Sequence, residues 1–168
     1  MAAIPPYIEV YNEAGARVAV LSPQADGLKE CWLDRELNGP CTLELALPAS
    51  SPKAAYLTDR CRIQAEGREF VVLDEGSIEH VREGRRTWVR VRAQESWVLL
   101  GRRYCTIPAN GVPLSVEILG ATAAEALAAV LAGTGWALGT CDVPGVHDLE
   151  VEKEQASVLN CIRKIAEI

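Results

Sequence analysis

Six cysteines, two histidines and one strand face bearing three arginines and a tryptophan are the residues in these 168 that could do chemistry. The cysteines are Cys31, Cys41, Cys61, Cys105, Cys141 and Cys161. A zinc site needs closely spaced ligand pairs such as C-x-x-C. Here no two cysteines lie closer than ten residues. A disulfide framework belongs to small secreted scaffolds, which this chain does not resemble in size or leader. The spacing therefore predicts six isolated thiols, several of them buried as small hydrophobes.

His80, between Glu79 and Val81, falls in a predicted strand, and His147, beside Asp148, in a predicted loop. Neither belongs to an H-x-x-x-H or H-E-x-x-H pattern, so no metal ligand is assigned. The chain carries no G-x-S-x-G, no Walker loop and no G-x-G-x-x-G after a strand. Cys105 and His147 could form a nucleophile–base dyad only through tertiary contact, and nothing local supports it. Acidic groups stand together at Asp74/Glu75 and at Glu150/Glu152/Glu154. The second set alternates with Val151 and Lys153 and reads as a solvated strand face, and spacing alone cannot set two carboxylates at glycosidase distance. The sequence assigns no catalytic residue, no cofactor and no metal.

The surface feature that stands out is Arg86, Trp88, Arg90 and Arg92, which alternate with Val89, Val91 and Ala93. A solvated strand face of long side chains and one amphipathic ring would look like this. So would a packing face against an acidic neighbour, because Arg and Trp are enriched at interface hot spots. Three arginines are a small footprint for nucleic acid. These four residues are the candidate subunit interface.

Composition agrees with a globular protein. The chain is 49% apolar and 24% charged, with a net charge of −6. Residues 1–59 carry −4, residues 60–103 carry +3 and residues 104–168 carry −5. A mildly basic middle between acidic flanks argues against a dedicated nucleic-acid binder. No run of about 18 apolar residues could span a membrane. Met1–Val10 lacks the basic start and apolar run of a signal peptide.

The elements that position these residues are mostly strands. Tyr7–Tyr11 and Arg17–Leu21 read as a hairpin around Asn12 and Gly15. Cys31–Leu33 reads as a third strand, and Asn38-Gly39-Pro40 as a turn. Cys41–Leu47 alternates, with Cys41, Leu43, Leu45 and Leu47 on one face, and Ala49–Asp59 is a loop or short helical turn. Arg60–Ala65 and Glu69–Asp74 pair around Glu66-Gly67-Arg68. Ser77–Arg82 and Arg86–Ala93 pair around Glu83-Gly84-Arg85. Strands at this spacing suggest a small barrel or sandwich. After Arg103 the style changes. Pro108, Gly111 and Pro113 punctuate a loop. Thr122 and Glu125 make a capping box for a helix that runs to Leu131 and stops at Gly133 and Gly135. Trp136–Leu138 and Leu149–Glu152 read as short strands, with a loop over Val143–Asp148. Ser157 caps a last helix whose stripe is Val158, Cys161, Ile162, Ile165 and Ile168. No stop signal follows that stripe, so the chain is expected to be a piece of something longer.

This order of pieces resembles a known group. The hairpin R-I-Q-A-E-G-R-E-F-V-V-L-D-E (Arg62–Glu75) is followed by a strand ending V-R-A-Q-E-S-W-V-L-L (Val91–Leu100). Then come the helix A-T-A-A-E-A-L (Ala121–Leu127) and S-V-L-N-C-I-R-K-I-A-E-I (Ser157–Ile168). Over residues 40–168 the chain is similar to the N-terminal region of phage and prophage tail-tip proteins. These are the minor structural, tail-associated or "endopeptidase tail" proteins related to the baseplate hub. The resemblance implies an α+β, mainly β chain. Residues 1–103 would form a small β-barrel-like domain. Residues 104–168 would form an α/β portion with helices at about 122–132 and 157–168, incomplete at its end. It further implies a structural role in a trimeric ring closing the tail tube. The partners would be copies of itself and the distal-tail or tail-tube proteins, and the location the virion tail after synthesis in the bacterial cytoplasm. Any peptidase or glycan hydrolase would sit in a separate C-terminal domain. The rival readings are the N-terminal non-catalytic part of such a tail-associated enzyme, and a bacterial binding module unrelated to phage.

Overall fold

The computed structural model describes residues 7–35, 39–105, 115–152 and 155–167. Asn38, Pro108, Gly111, Pro113, Lys153, Glu154 and Ile168, named above, lie outside them, as does the side chain of Glu75. By internal contacts the chain divides into Met1–Ser96 and Trp97–Ile168.

Alternation of apolar and polar residues makes the first unit a sheet. Its strands are β1 (Ile8–Tyr11), β2 (Arg17–Leu21), β3 (Glu30–Asp34), β4 (Thr42–Pro48), β5 (Arg62–Ala65), β6 (Arg68–Val71), β7 (Ile78–Glu83) and β8 (Arg86–Glu95). All pairings are antiparallel. The β5–β6 turn needs two consecutive residues in the left-handed region, and Glu66 (φ 51°) and Gly67 (φ 73°) supply them.

The strand order is β2-β1-β5-β6-β8-β4-β3, with β7 branching from β8. β8 is ten residues long, and β4 pairs with it from Trp88 to Gln94. Along its length β8 also takes β7 over Arg86–Val91 and β6 at Gln94–Glu95. A single core collects the inward residues of this sheet: Ile8, Val10 and Leu21 from one end, Leu33, Leu43, Leu45 and Leu47 from the other, and Ile63, Phe70, Val89 and Val91 between. The cysteine–leucine face of β4 is part of this core, as its alternation predicts.

The expected barrel is not seen closed among the described residues. The end strands β2 and β3 each have one strand neighbour. The short 3-10 helix Pro52–Tyr56 reaches β2 instead. There the Lys53 ammonium donates to the Val20 carbonyl at 2.8 Å and pairs with Asp26.

One buried carboxylate sits on the core face of β8. Glu95 follows Val89, Val91 and Ala93 in the alternation and is 9% exposed. It accepts from the Cys41 N–H at 3.1 Å and pairs with the Arg68 guanidinium, while its own N–H donates to the Cys41 carbonyl at 3.0 Å. A carboxylate among apolar residues is costly unless it is hydrogen-bonded and paired, and here it is both. It ties the entry to β4 and the start of β6 to the end of β8.

The second unit begins where β8 ends. The sequence suggests a strand running to Leu100, but Ser96–Arg102 is a 3-10 helix instead, which buries Leu100 in the core of the second unit and packs Trp97 against it. Then follow β9 (Val116–Ala121), α1 (Ala123–Leu131), β10 (His147–Val151) and α2 (Val158–Ala166). The Thr122/Glu125 capping box is present, with Thr122 Oγ1 accepting from the Glu125 N–H at 3.3 Å. β9 and β10 form a two-stranded antiparallel sheet. Val116, Leu149 and Val151 share a core with Ala126 and Val130 of α1 and with Val158, Cys161 and Ile165 of α2.

Three readings change here. β9 was not anticipated: Gly120, at φ 63°, interrupts its alternation at a bulge, where its N–H donates to the Asp148 carboxylate at 2.7 Å. Trp136–Leu138 forms no strand and Trp136 stays exposed. His147 and Asp148 belong to β10 rather than to a loop, because β9 gives them a partner.

The Glu95 cluster gives a direct expectation. Glu95→Ala removes the acceptor for a buried N–H and lowers unfolding free energy by about 1–3 kcal/mol in urea titrations. Glu95→Gln keeps an oxygen for Cys41 and costs less. Equal losses for the two variants would contradict the role given to the Cys41 contact.

Candidate interaction face

Residues directly opposite in antiparallel strands share a face, so the register defines what surrounds the four candidate residues. Arg86 lies opposite Glu83, and Trp88 lies between Val81 and Pro48. Arg90 lies between Glu79 and Ala46, with Glu30 one strand beyond. Arg92 lies opposite Glu44, with Trp32 beyond it. The structure thus brings Arg86, Trp88, Arg90 and Arg92 to one face of the sheet, opposite the core.

That face is charge-compensated. Arg90 Nε lies 3.4 Å from Glu30 and Arg92 Nε 3.5 Å from Glu44. Lys29 pairs with Glu83 and, at 3.5 Å, with Glu30. Its ammonium also stands 5.9 Å from the centroid of the Trp88 ring, within cation–π reach. Glu83 and Glu30 hold the Lys29 proton more tightly than usual. Exposed cross-strand pairs of this kind contribute roughly 0.2–1 kcal/mol each, so they set register and local charge more than overall stability.

Trp88 itself is only 9% exposed although it lies on this outer face, where Val81 and Pro48 flank it in register and the Lys29 ammonium stands by its ring. Trp32, at 49% exposed, is the large aromatic this face offers to solvent. Sequence reasoning passed over Trp32, although a signal was there: Cys31 and Leu33 are inward residues of β3, which turns Trp32 outward. It also left Glu30, Glu44 and Glu83 unassigned, because only the register reveals them as partners of the basic residues. Arg86 is exposed at the edge of a hollow lined by Pro48, Ala49, Ser50, Arg85 and Thr87.

The other candidates lie apart from this face. His80 is exposed on β7. His147 Nε2 lies 3.2 Å from the Pro144 carbonyl oxygen. Cys105, weighed above as a partner for His147, meets Cys161 instead, with the two sulfurs 3.6 Å apart. The six thiols are therefore not all isolated. Cys31, Cys41, Cys61, Cys105 and Cys161 are buried, as expected of small hydrophobes, and burial pushes the Cys31 and Cys61 thiols up to about 11. Among the described residues no three His, Cys, Asp or Glu side chains gather as a metal site. No described helix is long and apolar enough to cross a membrane.

Against this geometry stand the comparisons with known proteins. No protein-family model matches the chain, and no curated protein matches it. Among solved structures, the chain is similar to prophage tail protein gp18 from Listeria monocytogenes EGD-e, with a TM-score of 0.65 and 14% identity. The likeness covers 95% of this chain and 45% of that one, so the chain spans less than half of the relative's length. At this identity the two share a fold.

The two tryptophans separate packing from exposure. Trp88→Ala is expected to lower unfolding free energy by about 3 kcal/mol, as for a buried ring. Trp32→Ala is expected to stay within about 0.5 kcal/mol of the parent. Chemical denaturation of both variants checks this, and similar losses would place Trp32 in the packing rather than at the surface.

Proposed function

We propose that this chain is a structural component of a phage or prophage tail. It would act at the tail tip or baseplate hub in the ring that closes the tail tube, and carry no catalysis of its own. The observation that supports this most is the fold shared with a prophage tail protein across 95% of the chain. In this reading the first unit is a barrel-like β module, and its work is shape and packing. Homo-oligomers repeat the same patches around a symmetry axis. The face carrying Arg86, Arg90 and Arg92, with Trp32 exposed beside them, is the surface assigned to that contact. Each basic residue there has an acidic neighbour, which suits exchange of partners between subunits more than nucleic-acid binding. The location is the virion tail, and the partners are further copies of the chain and the distal-tail or tail-tube proteins.

Light scattering of the purified full-length protein, alone and with a tail-tube or distal-tail protein, tests this. A mass of three copies is expected at assembly concentrations. Arg92→Glu, exposed and outside the core, should shift the population toward monomer by at least tenfold in concentration while leaving the circular dichroism spectrum unchanged. A chain that stays monomeric and binds neither tail component contradicts the reading, and release of soluble fragments from peptidoglycan by the chain alone contradicts its non-catalytic part.

A further inference from the structure

We propose that Cys105 and Cys161 form a disulfide when the chain meets an oxidant, converting a hydrogen-bonded junction in the second unit into a covalent one. The two sulfurs are 3.6 Å apart and both residues are buried. They are 56 positions apart in sequence, so the fold rather than local spacing brings them together.

The backbone around them is already fixed. The Cys105 N–H donates to the Ala156 carbonyl at 2.9 Å, and the Val158 N–H donates to the Arg103 carbonyl at 2.8 Å. Tyr104 and Ser157 form an antiparallel bridge between those two bonds. Ser157 is also the N-cap of α2, and the Cys161 N–H donates to the Ser157 carbonyl at 3.0 Å, one turn into the helix. Cys105 and Cys161 are thus held on either side of one short ladder. A disulfide bond is about 2.05 Å long, so the sulfurs need to approach by roughly 1.5 Å, within reach of side-chain rotation.

The pair is also prepared for the first deprotonation. The Cys105 S–H donates to the Cys161 sulfur. That contact holds the Cys161 thiol below its usual range, helped by Lys164, and together with burial it raises Cys105. The thiolate, the reactive form, is favoured on Cys161. In the net reaction both S–H bonds break and one S–S bond forms. Two protons leave the thiols through solvent and, with the two electrons, pass to the oxidant. With a small disulfide such as oxidised glutathione, its S–S bond is split into two thiols. In a reducing cytoplasm the pair stays as thiols, and in an oxidising medium outside the cell it closes. Closing a long loop restricts the unfolded chain and so stabilises the folded one.

This inference does not rest on the tail reading, since a monomeric chain with no tail partner would form the same bond. The full chain is incubated with oxidised glutathione without denaturant, alkylated, digested and mapped by mass spectrometry. The expected result is a linked Cys105–Cys161 peptide as the dominant cross-link. The unfolding temperature should rise by several degrees, and dithiothreitol should reverse the rise. Cys105→Ala should lose the rise, and the parent chain's peptide map decides the question if that variant folds poorly. Free alkylation of both thiols after oxidation would overturn the proposal. So would a dominant link to Cys141, or a bridge that leaves the unfolding temperature unchanged or lower.

Discussion

The first unit depends on β8 keeping partners on both edges along its length. β4 occupies one edge, while β7 and β6 divide the other between them. Among the described residues no other strand joins three neighbours, and Val89, Val91 and Ala93 of β8 lie in the core shared by both ends of the sheet. The Glu95 cluster is the device that ends this arrangement. A strand with its inward face buried would be expected to finish in another apolar residue. It finishes instead in a carboxylate that binds the entry of β4 through Cys41 and the start of β6 through Arg68. A buried polar group of this sort specifies register, because a one-residue slip would leave it without partners.

The same strand explains the surface. Because β8 is fixed on its inner side by valines, its outer side must present Trp88 and the arginines, and the neighbouring strands supply the acids that face them. What looks in the sequence like a basic stripe is, once registered, a patchwork of cross-strand ion pairs with an exposed Trp32 beside it. The proposed contact at this face would therefore rest on charge complementarity and not on net positive charge.

Much of this was legible in the sequence where alternation is strict. The β4 face from Cys41 to Leu47, the Glu66-Gly67 turn and the Thr122 capping box all follow from local rules that tertiary contacts do not override. The misreadings have physical causes. β9 was hidden because Gly120 breaks its pattern at a bulge that only β10 makes favourable. Trp136–Leu138 has strand-like residues but no partner strand among the described residues, and a strand without a partner has no ladder. The strand thought to reach Leu100 turns into a 3-10 helix where packing of the second unit takes over. Ion-pair partners and the Cys105–Cys161 contact depend on residues dozens of positions apart, which one sequence does not bring together.

The fold shared with a prophage tail protein underlies the proposal that this chain works as a part of a tail. The most direct measurement of that claim is immunogold electron microscopy of particles induced from the bacterium that encodes this chain, using an antibody raised against it. Label at one end of the tail in intact particles is the expected result. Tails that carry no label, with the chain recovered only free in the lysate, would contradict it.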